Sequence, residues 1–424
     1  MKTIYLDNYK GFKKQIINLN HVNFLVGGNS TGKTSFLKII NLVSSFEFWV
    51  NFEFNNSEID LGYFDEIINK NSTSKSFHIG TEKLNVRNKS TLRLLLTFKE
   101  KKFVPSVSRI KFGTDEYDIL LKINKNGSTF SYKKKNDVNF KEWANDFKFS
   151  RKFKKVENLI PYNVPLWVVA DRILDEIDKR KNNTKYRINL LNHGALYSNC
   201  KWIAPMRAEP KRLYESYDIE FSPKGLHMPF VLKTIIDETK TSKSKMVLKA
   251  LNKFGKSSSL FEKISINKLS NANNSPFEIL IQQGSVISKL TNVGYGVSQS
   301  LPLVLDMLTL KRSCFLMQQP EVHLHPKAQS AFGELIYDSI DLGLANTFFI
   351  ETHSDYMIDE FRHNIFSNKK DDFVNNSQIL FFTKDEGLNK VEAIEIKDDG
   401  KFAQNLPIKY RNFFIKHEIK MFEF

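Results

Sequence analysis

The chain has 424 residues, 41% of them hydrophobic, and a net charge of +16. That length and apolar content support about two or three domains, or one large domain with insertions. No window approaches about 18 consecutive apolar residues, and Met1–Leu6 has no apolar signal segment, so neither a membrane span nor secretion is expected. Cys200 and Cys314 each lie beside apolar residues and read as buried thiols in a reducing compartment, so the cytoplasm is the expected location.

Taken in chain order, Val22–Val26 reads as a short buried strand. A glycine loop follows, then a helix whose Phe36, Ile39, Ile40 and Val43 form one apolar stripe. Thr91–Phe98 is β-like. Residues 99–200 read as a polar, lysine-rich insertion. Within 101–160, fifteen Lys and Arg face seven Asp and Glu, half of the whole net charge. The runs Lys133-Lys134-Lys135 and Arg151-Lys152-Phe153-Lys154-Lys155 alternate there with Phe130, Tyr132, Phe140, Trp143, Phe147 and Phe149. Such a mixture suits phosphate neutralisation with base stacking, and equally a solvated lysine face. Residues 230–275 read as largely helical. Strands then alternate with helices again: Phe277–Ile281, a helix over 298–311, Cys314–Met317 and Thr347–Ile350. The expected fold is an α/β domain assembled from both chain ends, divided at 1–98, 99–200, 201–276 and 277–424.

Gly27-Gly28-Asn29-Ser30-Thr31-Gly32-Lys33-Thr34 satisfies G-x-x-x-x-G-K-[ST], with the strand before it and the helix after it that a phosphate cradle needs. Its backbone N–H groups and the helix N-terminus favour an anion. Lys33 reaches the β/γ-phosphates, the Thr34 hydroxyl is a Mg²⁺ ligand, and Ser35 completes the loop, so ATP with Mg²⁺ is the expected cofactor. Gly294, Gly296 and Ser298 precede a helix with Leu301, Val304, Leu305 and Leu308 on one stripe, with Ser298 as N-cap and Pro302 in the first turn. Two apolar strands end in polar residues, one at Gln318-Gln319-Pro320-Glu321-Val322-His323-Leu324-His325-Pro326 and one at Glu351-Thr352-His353-Ser354. Ligands gather at such strand ends. His323 and His325 lack further ligands nearby in sequence for a zinc site.

The order and wide separation of these segments resemble ABC-type ATPases of the SMC/RecF kind. More narrowly, they resemble prokaryotic AAA-type ATPases related to the overcoming-lysogenization-defect proteins. The matches are Gly27–Thr34, Gly294–Gln299, Pro320–Pro326 and Glu351–Ser354. Trp202–Pro210 is similar to the family's "hhGPhRxxP" segment, with Ala204 in place of its glycine. The resemblance covers 1–70 and 200–424. It implies an ABC-type P-loop ATPase head with a mixed sheet and a helical, basic middle insertion. It further implies a head-to-tail homodimer in which Gly294, Gly296 and Ser298 of one copy cap the γ-phosphate held by Lys33 of the other. His353 would be the switch histidine.

One departure concerns the Walker B acids, which this chain replaces with Gln318, at the metal position, and Gln319, at the catalytic position. Glutamine orients a water but carries no proton away. Either Glu321 takes over as base or metal partner, or the chain binds ATP tightly and hydrolyses it slowly. Asp398-Asp399-Gly400 lacks the D-x-D spacing of a Toprim nuclease, so cleavage would belong to a partner. Three functions remain open. One is the ATP-dependent sensor or scaffold of an antiviral defence system with a separate effector, such as a nuclease. Another is a RecF-like repair ATPase that binds DNA through the basic stretch. The third is an ATP-locked assembly protein.

Overall fold

The computed structural model describes residues 2–56, 59–85, 90–124, 127–149, 153–156, 166–178, 196–215, 220–238, 241–270, 272, 275–368, 376–403 and 406–414. They form two compact units. The first comprises Met1–Asn20, Gly27–Cys200 and Phe381–Ala393; the second comprises His21–Val26, Lys201–Leu380 and Ile394–Phe424.

In the first unit, β1 (Lys2–Asp7) pairs antiparallel with β2 (Gln15–Leu19), setting Ile4 opposite Ile17. The next strand, β3 (Val22–Gly27), enters the second unit and delivers the glycine loop, which is followed by helix α1 (Lys33–Ser44). The remaining strands are β4 (Ser76–Asn85), β5 (Ser90–Lys101), β6 (Val104–Gly113), β7 (Tyr117–Asn124), β8 (Gly127–Lys134) and β9 (Lys154–Val156). They complete an antiparallel sheet in the order β2-β1-β4-β5-β6-β7-β8-β9. Phe77 and Phe98 stack at 5.0 Å inside it, with Phe54 edge-on to Phe98 at 4.9 Å.

The expected boundary between 98 and 99 therefore falls inside β5, and 99–134 is sheet continuous with the N-terminal strands. Lysines dilute the composition there, yet Val107, Ile110, Phe112, Ile119, Leu121 and Phe130 are buried. The aromatics expected to offer stacking surfaces are partly withdrawn as well. Phe130, Phe140 and Trp143 are core residues, the last two on helix α2 (Phe140–Asn145). The Trp143 indole N–H donates to Asp118 at 2.7 Å. Lys111 is buried beneath that ring, donating to the carbonyls of Trp143 and Asp146, and burial pushes its ammonium down to about 8. Lys133 pairs with Asp146. Arg151 and Lys152 lie outside the described residues, as do 157–165 and 179–195.

The second unit carries β10 (Cys200–Ile203), helices α3 (Met228–Asp237) and α4 (Ser242–Ser257), and an antiparallel sheet of β11 (Lys263–Lys268), β12 (Phe277–Gln283) and β13 (Val286–Lys289). The helical expectation for 230–275 holds only to Ser257. After it, Ile264 and Ile266 pair opposite Ile281 and Ile279 in an apolar cross-strand ladder. Helix α5 (Tyr295–Thr309), β14 (Cys314–Gln318), α6 (Pro326–Asp341), β15 (Thr347–Glu351) and α7 (Asp355–Asn368) follow. Strands β10, β14, β15 and β3 lie side by side in that order, with the start of β16 (Ser377–Asp385) next. β16 then runs into the first unit, beside β17 (Leu388–Ile396).

The pairs β14–β15 and β15–β3 are parallel. Near-continuous apolar runs such as Cys-Phe-Leu-Met and Thr-Phe-Phe-Ile suit strands buried on both faces. Phe315 stacks on Phe348 at 5.5 Å, and Phe24 meets Phe361 edge-on at 5.4 Å. Parallel and antiparallel strands with packed helices give the α/β fold expected from the sequence.

Candidate nucleotide-binding site

The loop from Gly27 to Thr34 belongs to the first unit. Gly27 has φ +151°, and a Cβ there would lie 2.2 Å from the Phe382 carbonyl. Gly32 has φ +100°, and a Cβ there would meet the Asn389 amide at 2.4 Å. Both glycines are required by backbone conformation and by the close approach of the β16–β17 hairpin. At Gly28 a Cβ would touch only Thr31, at 3.7 Å. Asn29 and Ser30 are exposed, and the Thr31 hydroxyl donates to the Gly28 carbonyl at 2.8 Å.

Lys33 is 4% exposed, and its ammonium folds back into the loop, donating to the carbonyls of Gly27 at 2.8 Å and Gly28 at 2.9 Å. Helix α1 begins there with no side-chain cap and no acid in its first turn. Its positive end therefore carries no acid in the first turn. A buried ammonium, an uncapped helix start and glycines at the turns fit a phosphate group. The neighbouring Ser35 carbonyl accepts from the Tyr9 hydroxyl at 3.2 Å, which anchors the first turn to the sheet.

The remaining candidate residues lie in the second unit. Helix α5 starts at Tyr295 with Gly294 as N-cap, so Ser298 is not the cap expected from the sequence. It sits inside the first turn, buried, with its hydroxyl donating to the Tyr295 carbonyl at 3.1 Å. Tyr295, Gly296 and Val297 take helical geometry, which moves the start upstream. For the same reason Pro302 lies inside the helix instead of in its first turn. Lacking an N–H, it leaves the Ser298 carbonyl without the usual donor four residues on. A Cβ at Gly294 would meet nothing within 4 Å, whereas one at Gly296 would press on Leu260 at 3.2 Å.

Gln299 ties this helix to the Trp202–Pro210 segment. Its side-chain oxygen accepts the Arg207 N–H at 2.8 Å, and its amide nitrogen donates to the Arg207 carbonyl at 3.4 Å. The Arg207 side chain is 5% exposed, and Nε and one terminal nitrogen have no hydrogen-bond partner. Burial lowers its guanidinium to about 10, and the charge of Glu321 opposes that shift. Arg207 is the arginine of the segment similar to "hhGPhRxxP", but it had no role in the site expected from the sequence.

At the ends of the parallel strands, Gln318 is the register partner of Glu351, and Glu351 is the register partner of Leu25. The Gln319 N–H donates to the Glu351 carbonyl at 2.8 Å, and Gln319 itself has φ +46°, which turns the chain sharply after β14. Glu321 accepts the His353 N–H at 2.8 Å on one oxygen, and the other oxygen is buried without a partner. Burial raises its carboxyl above the usual range. The His353 ring stacks on Phe413 at 6.2 Å. His323 is exposed and packs edge-on to Tyr295 at 5.7 Å, while His325 stands at the N-cap position of α6 without a side-chain cap bond. The second unit thus brings together Gln318, Gln319, Glu321, His353 and the start of α5. It adds Glu351 and Arg207, which were not among the site residues expected from the sequence.

Among solved structures, the chain is similar to an SMC head bound to the C-winged helix domain of ScpA, at 12% identity and TM-score 0.45, covering 93% of this chain and 97% of that one. It is similar to the SMC head domain from Thermotoga maritima at 12% identity and TM-score 0.39, covering 93% and 98%. It is also similar to the Pyrococcus furiosus Smc head with an extended coiled coil, bound to the C-terminal domain of ScpA, at 11% identity and TM-score 0.42, covering 100% and 99%. No curated protein matches. Residues 1–358 match the family described as AAA ATPase domain, and the chain, with its glycine loop, Lys33 and α/β fold, belongs to that family.

Proposed function

We propose that this chain binds ATP with Mg²⁺ at Gly27–Thr34 and hydrolyses it slowly. It would use the bound nucleotide to hold two copies head to tail and so control a separate effector. The observation that carries the reading is the contrast between an intact phosphate cradle around Lys33 and a Walker B strand ending in two neutral amides. In this reading Thr34 and Gln318 supply oxygen to the metal, Gln319 orients water without accepting its proton, and His353 senses the γ-phosphate. Gly294, Gly296 and Ser298 of a second copy would face the same phosphate, for which the open space at Gly294 leaves room. ATP then acts as a bridge, because its differential affinity for the paired state shifts the population.

The order and types of these motifs further support a role as sensor or scaffold in a prokaryotic antiviral defence system, with a nuclease as the effector. The burial of Phe130, Phe140 and Trp143 removes much of the case for a RecF-like clamp on DNA. Sizing with and without ATP tests the pairing: a monomer that doubles in mass with ATP supports it, and an unchanged monomer at saturating ATP overturns it. Native purification with mass spectrometry tests the effector. A stoichiometric nuclease-like companion is expected, whereas submicromolar DNA binding with no companion favours the repair reading.

A further inference from the structure

The first turn of α5 and the Walker B turn touch within the second unit. A Cβ on Gly296 would lie 3.5 Å from the His323 carbonyl and 3.5 Å from the Leu324 side chain, and the Tyr295 ring meets His323. Leu324 donates its N–H to the Glu321 carbonyl at 3.0 Å, closing the turn that carries Glu321. Further along α5, Gln299 is 1% exposed and grips both the N–H and the carbonyl of Arg207. The start of α5 thus gathers Arg207 and the Glu321 turn, and the Arg207 guanidinium lies in the field of the Glu321 charge.

Each of these two side chains has hydrogen-bonding capacity to spare. Arg207 donates from Nη1 to the Pro205 carbonyl at 3.3 Å, while Nε and Nη2, the two donors on one edge of the guanidinium, are buried without a partner. That edge is the fork that fits the oxygens of a carboxylate. Glu321 gives one oxygen to the His353 N–H at 2.8 Å, and its other oxygen is buried without a partner. Buried groups left open in this way carry a desolvation cost. Both are satisfied when the fork takes that oxygen, directly or across one bridging water. Charge points the same way. Glu351 adds a second negative charge that acts on Glu321, so a carboxylate there needs a nearby cation to stay ionised.

We propose that Arg207 is a positioning residue: its guanidinium balances the Glu321 carboxylate and holds it on the His353 N–H, which ties the His353 turn to α5. The start of α5 and His353 are the two places where the nucleotide reading puts γ-phosphate contacts, so the use of this link in sensing rests on that reading. The link itself does not, and it is present without nucleotide.

Hydrogen exchange of the His353 amide, followed by mass spectrometry on the full chain without nucleotide, reads the link directly. Arg207→Met keeps the stem and removes the charge, and it should speed exchange at His353 about tenfold, as a charge-assisted bond becomes a neutral one. Arg207→Lys keeps the charge without the fork and should fall between Arg207→Met and the unaltered chain. Glu321→Gln should match Arg207→Met, and the double variant should be no faster than either single one. Exchange in α6 should stay that of the unaltered chain, because the loss is local. Unchanged exchange at His353 in both Arg207 variants overturns the proposal, and so does an equal rise throughout α6. Single effects that multiply to about 100-fold in the double variant also overturn it, since the two side chains would then act independently. If Arg207→Met fails to fold, Arg207→Lys decides: faster exchange at His353 alone supports the link, and unchanged exchange overturns it. Where the link holds but Lys33-dependent ATP binding is absent, only the nucleotide reading falls.

Discussion

The phosphate loop and the Walker B turn are both sharp, tightly held turns at the end of a parallel strand, yet they depart from expectation in opposite ways. The loop keeps every residue of its pattern, and two of its glycines are fixed by neighbouring backbone and side chains as much as by any ligand: a Cβ at Gly27 or Gly32 has no room. The turn keeps its shape, through the Gln319 and Glu321 hydrogen bonds, but not its acids. On the proposed reading, binding and turnover are separable, since the loop's phosphate-binding pattern is complete while the position proposed to take a proton from water holds an amide.

The largest expected effect is at the loop. Lys33→Ala removes a buried ammonium from the phosphate site, and losing charge-assisted bonds worth about 3 kcal/mol lowers ATP affinity on the order of 100-fold, measurable by calorimetry. Gly27→Ala should cost about 3 kcal/mol or more of folding stability, because the methyl meets the Phe382 carbonyl at 2.2 Å and φ is +151°. Gly28→Ala, with open space around it, should stay within about 0.5 kcal/mol in denaturant unfolding. Equal losses at both glycines would erase the distinction between packed and open loop positions.

At the turn the expected gain is in rate. Gln319→Glu restores a proton acceptor and should raise turnover by about 100-fold with ATP affinity little changed, read by phosphate release. No gain would mean that another group already serves as base. The smallest effect is on pH dependence. Burial raises the Glu321 carboxyl, so the folded chain holds that proton more tightly than the unfolded one. The group's contribution to stability is full below about pH 4.3 and is lost as pH rises through its folded value. Glu321→Gln should flatten that part of the stability-against-pH curve, and an unchanged slope would show that the carboxyl does not titrate abnormally.

The strand–loop–helix at Val22–Ser44 was legible because its signals are local: an apolar run, the glycine spacing and a helical stripe. So were β14 and β15. The antiparallel strands from Val104 to Lys134 were not, because Lys111 occupies a core position with its ammonium bonded to carbonyls, and a register shift between Thr97 and Phe98 breaks the alternation. Ser298 was misplaced as a cap because Gly294 and Gly296 both look like helix breakers, yet the helix starts at Tyr295 and takes in the second of them. Glu351 and Arg207 lie in matched segments but were given no site role, for one shared reason. Their neighbours, Gln318 for one and Gln299 with Glu321 for the other, are brought close by the sheet and by the docking of the segment on α5, not by sequence distance.

The most direct test of a chain that grips ATP but turns it over slowly is to measure both on one preparation. Calorimetry with ATP and Mg²⁺ should show Lys33-dependent binding, and steady-state phosphate release on the same sample should run well below about one per second. A turnover at or above that rate, abolished by Lys33→Ala, would contradict the account.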